Sequence, residues 1–427
     1  MEIIKIVIIN HTFQIDYFCK RWRMLAQNHK DLDVTLLAPK EYTWGDDKRL
    51  TYGTVNQIHG SEEDSENFHI RLIKLQKHKF TSWTSPDLCS VLLNIKPHII
   101  YHIGHHQQES LMQVIDIRNK YLKNSKLIMF SMRGPTVMNV NKEGISLTRY
   151  LLRKILFEYN QHKTRKALKN CNAIFCHYPD ARDCFIKEGY KGPIYMQTQV
   201  GVDTDKFKPD NEARKRIRDK YGLGDSFVFG SATRFTPDKG LSDVISALPE
   251  SGNWKYLMMG SGLPEENTDI EVQIKKRGLQ DRIILTGFID WHDMSDYWNA
   301  LDCAVHVPLT TRTWVETFSL SVVQAMATGL PIIGDDSGSV PYEIGPDGII
   351  IKEGDVEALR SKMIWVMHNR DEAKKIGMLM KNRAESSFSI NHLTDIFYDT
   401  LIDIQNNRHD PLKEDMTEYK VAYANKK

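Results

Sequence analysis

The chain is poor in several of the features that would settle its class quickly. Its six cysteines (Cys19, Cys89, Cys171, Cys176, Cys184 and Cys303) are scattered, and no Cys-x-x-Cys pair occurs. That excludes the usual zinc and thioredoxin-like spacings and favours a reduced, cytoplasmic protein. Charge of one sign is also lacking, because 57 Lys and Arg stand against 55 Asp and Glu. A net charge of +2 makes no field strong enough to mark nucleic acid as the main partner. No run approaches the ~20 apolar residues of a membrane span. The opening MEIIKIVIIN has a short apolar run but no small-residue cleavage site, so it reads as a first strand and not as a leader. No internal repeat and no low-complexity segment interrupts the chain.

What is present is length and alternation. At 427 residues the chain exceeds one ordinary core, which implies two domains. Apolar runs at 3–9, 34–38, 98–103, 126–132 and 173–177 alternate with helical patterns, such as Phe18, Trp22 and Leu25. Residues 40–70 are polar and broken by Gly53 and Gly60, and read as loops with short strands. The stretch QVGVDTDKFKP (199–209) carries the Gly, Asp and Pro of a linker. A second alternating series follows, with strands at 227–232, 256–259, 283–285, 303–307, 331–334 and 349–351. The expected fold is α/β, two doubly wound Rossmann-like domains, with ligands at the carboxyl ends of the strands. The expected bounds are 1–200 and 201–390, then a helix at 391–405 returning to the first domain, and a polar tail at 406–427.

Val315 to Gly345 is the stretch on which the chain turns. Glu316 lies in a loop before a helix at about 321–328, which Gly329 and Pro331 end. A helix start at a sheet edge suits an anion. In SATRFTPDKG, Arg234 and Lys239 stand five residues apart, also between a strand and a helix. Two cations there can hold a diphosphate and stabilise its departure. MGSG (259–262) ends a strand, and Gly262 either admits a ligand or makes a tight turn.

VGVDTDKFKP, TRFTPDKG, LMMGSG, LTGFIDWHDMSDYWNALDCAVHVP, ETFSLSVVQAMATGLPIIG and GSVPYEIG follow in that order. In order and spacing they resemble the family-4 retaining glycosyltransferases (glycosyl transferases group 1), strongly over 200–345 and weakly before. The resemblance implies the GT-B fold of two facing Rossmann-like domains, with the donor on the second and the acceptor on the first. It implies that Arg234 and Lys239 grip the donor diphosphate. Glu316, the first acid of an E-x7-E motif, faces the transferred sugar. Phe318, Ser319 and Leu320 bring backbone amides to sugar and phosphate, and Phe288 and Ile289 cradle the base. Gly338 to Glu343 stands where the family usually has GGxPE.

The chain departs from the family at three places. Gln324 replaces the second acid, and either bonds the ribose or closes a capping box with Ser321. Arg133 stands where a His is common, and Asn10 to Gln14 replaces a double glycine. On the acceptor side, His11, His105 and Arg133 are the candidates. His102, His105 and His106 cluster without an evident further ligand, and Asp335-Asp336 reads as a turn, so no metal site is expected.

The activity implied is transfer of a hexose-type sugar from a nucleotide-diphosphate sugar, with no added cofactor, to a hydroxyl of a glycan or lipid-linked acceptor. A UDP-sugar is favoured and a GDP-sugar stays open. The alternatives are a binding protein that has lost catalysis and a sugar-nucleotide epimerase. Residues 149–169 are basic and partly apolar, which leaves a membrane-surface helix open beside an ordinary packed one. The expected location is the cytoplasm, including the inner face of its membrane.

Overall fold

A computed structural model describes residues 3–13, 15–42, 58–59, 61–78, 82–132, 146–312 and 314–408. Arg133 and the Gly134 beside it lie outside these residues. The chain divides into two units: the described residues at 3–199 and 394–408 form the first, and those at 200–393 the second.

In the first unit the sheet strands are β1 (Ile4–Ile9), β2 (Leu32–Pro39), β3 (Glu63–Asp64), β4 (Phe68–Ile73), β5 (Ile99–Ile103), β6 (Lys126–Phe130), β7 (Ala173–Cys176) and β8 (Ile194–Met196). Their order is β8-β7-β6-β5-β1-β2-β4-β3, parallel except for β3 against β4. The helices are α1 (Asp16–Asn28), α2 (Leu88–Ile95), α3 (Glu109–Tyr121), α4 (Leu147–Asn170) and α5 (Pro179–Lys187). The central strands are buried along their length, which is why they read as unbroken apolar runs. Three elements escape that signal. β4, in FHIRLI, alternates apolar with polar residues toward the sheet edge; α2 is two turns; β8 is three residues. His105 and His106 do not open a helix. They sit in a turn, and α3 starts at Glu109.

The second unit holds β9 (Phe227–Ala232), β10 (Trp254–Met259), β11 (Ile283–Gly287), β12 (Cys303–His306), β13 (Ile332–Asp335) and β14 (Ile349–Ile351). All are parallel in the order β11-β10-β9-β12-β13-β14. Its helices run from α6 (Asn211–Lys220), α7 (Leu241–Ala247), α8 (Pro264–Lys276) and α9 (Met294–Asn299) to α10 (Leu320–Ala327), α11 (Val340–Ile344), α12 (Val356–His368) and α13 (Arg370–Arg383). Successive strand residues feed opposite faces, as period-two side chains must. Val228, Leu257, Ala304 and Ile332 pack in one core, and Phe229, Tyr256, Val305 and Ile333 in the other. Val202 and Phe207 are fully buried in the first of these cores, so the segment after Gln199 is packed structure.

The last helix, α14 (Ile390–Gln405), contributes Phe397, Leu401 and Ile404 to the core of the first unit, where Phe397 meets Trp22 edge-on at 5.2 Å. Gln197 Nε2 donates to Thr400 Oγ1 at 3.0 Å, and Tyr398 Oη donates to Asp31 Oδ2 at 2.7 Å.

Candidate active site

In each sheet the strand order reverses once beside the first strand, and the loops leaving the two strands at that point diverge to make a crevice. In the second unit the reversal lies between β9 and β12. It brings the loop after β9, which carries Arg234 and Lys239, against the loop after β12, which leads to Glu316. Two backbone features lock these loops together. Leu309 N–H donates to Asp238 O at 2.9 Å. Gly240 has φ +66°, and a Cβ there would lie 1.9 Å from Val307 O, so only glycine fits.

The contact at the centre is between two residues far apart in sequence. Lys239 Nζ lies 2.7 Å from Glu316 Oε2, with both side chains about nine-tenths buried. The same ammonium stands 4.1 Å from the ring centre of Trp314, a cation–π contact. His306, the last residue of β12, holds its Nε2 3.5 Å from the same Glu316 oxygen, at the outer limit of a hydrogen bond. Burial alone would push the Glu316 carboxyl up; His306 and the Lys239 charge outweigh it and hold the carboxyl down at about 2. Glu316 is therefore a carboxylate at neutral pH.

The backbone of Glu316 is fixed from the loop after β13. Ser339 N–H donates to Glu316 O at 3.0 Å. Gly338 has φ +49°, and a Cβ on it would sit 2.0 Å from that same oxygen. Glu343, fully buried on α11, accepts from Ser319 N–H at 3.0 Å on each carboxylate oxygen and from Ser339 Oγ at 2.6 Å. Burial pushes the Glu343 carboxyl well above its ordinary range, and the negative charge of Glu316 adds to this.

Ser319 is the N-cap of α10, its Oγ accepting from Val322 N–H at 3.4 Å. The alternative of a capping box at Ser321 is not what forms, and Ser321 Oγ instead pairs with Ser319 Oγ at 2.9 Å. Ser319 N–H is consumed by Glu343, so it is not one of the amides facing a ligand. Among the described residues the N–H groups of Leu320 and Ser321 have no protein acceptor, as the first turn of a helix leaves them. Phe318 is partly buried, its ring 6.1 Å from that of Phe388.

The remaining second-unit candidates divide. Arg234 is exposed, and no contact joins it to Lys239 or Glu316. Phe288 is 54% exposed, whereas the Ile289 side chain is in the core. Gly262 N–H is used within the chain, donating to Asn267 Oδ1 at 2.8 Å. Gln324 is buried, and its Oε1 accepts from Trp298 Nε1 at 3.4 Å.

In the first unit the strand order reverses between β1 and β5, which sets His11 and the turn with His105 at one sheet edge. Burial holds the His11 imidazole down at about 4. His102 is lowered further, to about 3, by burial and then by His11, and its Nε2 is 2.9 Å from Ser110 Oγ. Both rings are neutral at pH 7. His105 is exposed and stacks on buried His106, with ring centres 4.4 Å apart. Among the described residues, no three His, Cys, Asp or Glu side chains are grouped to hold a metal.

Sequence reading did not single out His306, Trp314 or the clamp made by Glu343. His306 had a usable signal: it ends a strand beside the point where the sheet order reverses. Trp314 had none; Glu343 was marked only as the end of the 338–343 stretch, because the contact it makes runs across loops.

Residues 213–383 match the family model for glycosyl transferases group 1. The match lies within the second unit and covers less than half of the chain. One curated relative is a GDP-mannose-dependent alpha-(1-6)-phosphatidylinositol monomannoside mannosyltransferase of Mycolicibacterium smegmatis. It is 31% identical over 187 residues, which cover 42% of this chain and 48% of the relative. The chain thus spans about half the length of the curated relatives it matches. Two solved structures share the fold. A glycosyltransferase from Rickettsia africae superposes with TM-score 0.69 at 14% identity, over 95% of this chain and 100% of that one. HepE of Anabaena, solved with UDP and glucose, gives 0.65 at 17% identity, over 94% and 100%. The fold class is GT-B, built from two Rossmann-like units.

Proposed function

We propose that the chain is a retaining hexosyltransferase that uses a nucleotide-diphosphate sugar and a hydroxyl of a glycan or lipid-linked acceptor. The observation that carries this is the buried Lys239–Glu316 pair beside the open first turn of α10. The donor diphosphate binds with one phosphate against Lys239 and the Leu320 and Ser321 amides, and Arg234 reaches it from the rim. The carboxylate of Glu316 faces the sugar. In the reaction the bond from sugar C1 to the phosphate oxygen breaks and a bond from C1 to the acceptor oxygen forms. The acceptor proton passes to the departing diphosphate, on whose face the acceptor attacks. The cations and helix amides take up the charge that grows on that leaving group. Gln324 bonds a ribose hydroxyl with the part of its amide that Trp298 leaves open. His11, Arg133 and His105 belong to the acceptor side.

GDP-mannose is the first donor to test, because the curated relative in the family is named for it; UDP-sugars come next. The full chain is incubated with each donor and with lipid-linked or glycan acceptors, and nucleoside diphosphate and glycosylated product are measured. Transfer with the anomeric configuration kept supports the reading. A donor that raises the melting temperature without any transfer refutes it in favour of a binding protein. A donor converted to a second nucleotide sugar without acceptor refutes it in favour of an epimerase.

A further inference from the structure

The two halves of α4 have different surroundings. From Tyr159 onward the helix is tied to its unit. Tyr159 Oη donates to Glu109 Oε1 at 3.1 Å, Lys163 pairs with Glu109, and Lys166 Nζ pairs with Asp116 Oδ1 at 2.6 Å. Gln107 Nε2 donates to Thr164 Oγ1 at 2.9 Å, and Lys163, Thr164 and Ala167 are buried. The three turns before Tyr159 carry no buried residue. Leu147, Leu152 and Ile155 are 61%, 66% and 67% exposed, and Leu151 and Leu156 are exposed too.

At 100° per residue Leu147, Leu151, Leu152, Ile155 and Leu156 span one half of the helix, and its edge at Leu152 and Leu156 runs on into the line of buried Lys163 and Ala167. A soluble helix normally turns such a stripe inward. Here it faces out, and cations border it: Arg149, Arg153 and Lys154 beside the apolar turns, then Arg165 and Lys169 further along. Among the described residues none of these five has a carboxylate partner. Glu158 is the only acid in the helix.

We infer that this half of α4 is a docking surface for an anionic lipid bilayer, lying in the interface plane. Its leucines and Ile155 enter the acyl boundary and its cations meet lipid phosphates. An apolar stripe flanked by Lys and Arg is what such an interface selects. A second copy of the chain fits less well, since apposing two of these faces crowds like charges with only Glu158 to offset them. No described helix is long and apolar enough to cross a membrane, so the contact is peripheral.

The test uses the full chain and no nucleotide sugar, so its outcome is independent of whether the chain transfers sugar. Sedimentation is measured with vesicles of phosphatidylcholine alone and with phosphatidylcholine containing phosphatidylglycerol. Binding to the anionic vesicles is expected at low salt, weakened near 1 M salt, where screening shortens to about 3 Å. Leu152→Glu with Ile155→Glu should lower it about tenfold or more. Both positions are exposed, and a melting curve checks that the variant is folded. The triple variant Arg149→Ser, Arg153→Ser, Lys154→Ser tests the charge arm with the apolar stripe intact, and should abolish the preference for phosphatidylglycerol. Folded chain that ignores anionic vesicles at low salt, or that binds equally well in both variants, overturns the inference. So does a dimer in light scattering that Ile155→Glu turns into a monomer, which assigns the face to a second copy.

Discussion

Gly338→Ala tests whether the carboxylate of Glu316 must be held where the structure holds it. Two penalties act at Gly338. Its φ of +49° is left-handed, which for an L-residue costs about 1–2 kcal/mol. The added methyl would also sit 2.0 Å from Glu316 O and 2.9 Å from Val315 Cγ2, where no real Cβ lies. The second penalty is relieved only by moving the Glu316 backbone, and that breaks the 3.0 Å bond from Ser339 N–H. Gly222 provides the control, because it has φ +58° with nothing within 4 Å of its Cβ position. Gly222→Ala should lower Tm by about 2–4 °C per kcal/mol lost and leave kcat nearly unchanged. Gly338→Ala should lower Tm further and kcat by about a hundredfold, since a shift near 1 Å in a reacting group has that effect. The assay is donor-dependent nucleoside diphosphate release with acceptor present, read as kcat and KM alongside a melting curve. A Gly338→Ala enzyme with wild-type kcat would refute the assignment of Glu316 to the reacting centre.

Lys239→Met should lower kcat/KM by about a hundredfold or more, and should also destabilise the second unit by roughly 3 kcal/mol, because it strands a buried carboxylate. Adding Glu316→Gln should restore most of the lost Tm but none of the activity, as calorimetry and turnover on the single and the double variant would show. The Glu316 carboxyl is lowered from 4.5 to about 2, so its stabilising contribution is complete above about pH 4.5 and fades as pH falls through about 2; Glu316→Gln should flatten the melting profile in that window. Asp335 has the opposite sign: burial raises it from 3.8 to about 8, so it favours folding least above pH 8. Its Oδ1 accepts from Ser337 N–H while Oδ2 is buried without a partner, so Asp335→Asn should raise Tm more at pH 8 than at pH 4.

The parallel sheets were legible because their strands are buried on both faces and leave apolar runs in the chain. The loops were legible where one residue type is obligatory: Gly240 and Gly338 stand where a side chain would strike a carbonyl. What the sequence hid was the pairing of loops. Lys239 and Glu316 are 77 residues apart, and nothing local shows that the ammonium of one is spoken for by the other. The same holds for Glu343, whose carboxylate takes the amide of Ser319. Residue types alone suggested a row of amides free for a ligand; the fold leaves Leu320 and Ser321 and closes Ser319. Arg234 and Lys239 likewise read as equivalent cations, yet one is exposed and the other buried against a carboxylate. That asymmetry bears on the order of events. Under the proposed function, donor diphosphate would meet an exposed Arg234 first and then compete with Glu316 for Lys239. A ligand that must displace an internal ion pair gains less from Lys239 than the bare charge would give. Removing Arg234 should therefore weaken donor capture, and removing Lys239 should act mainly on turnover.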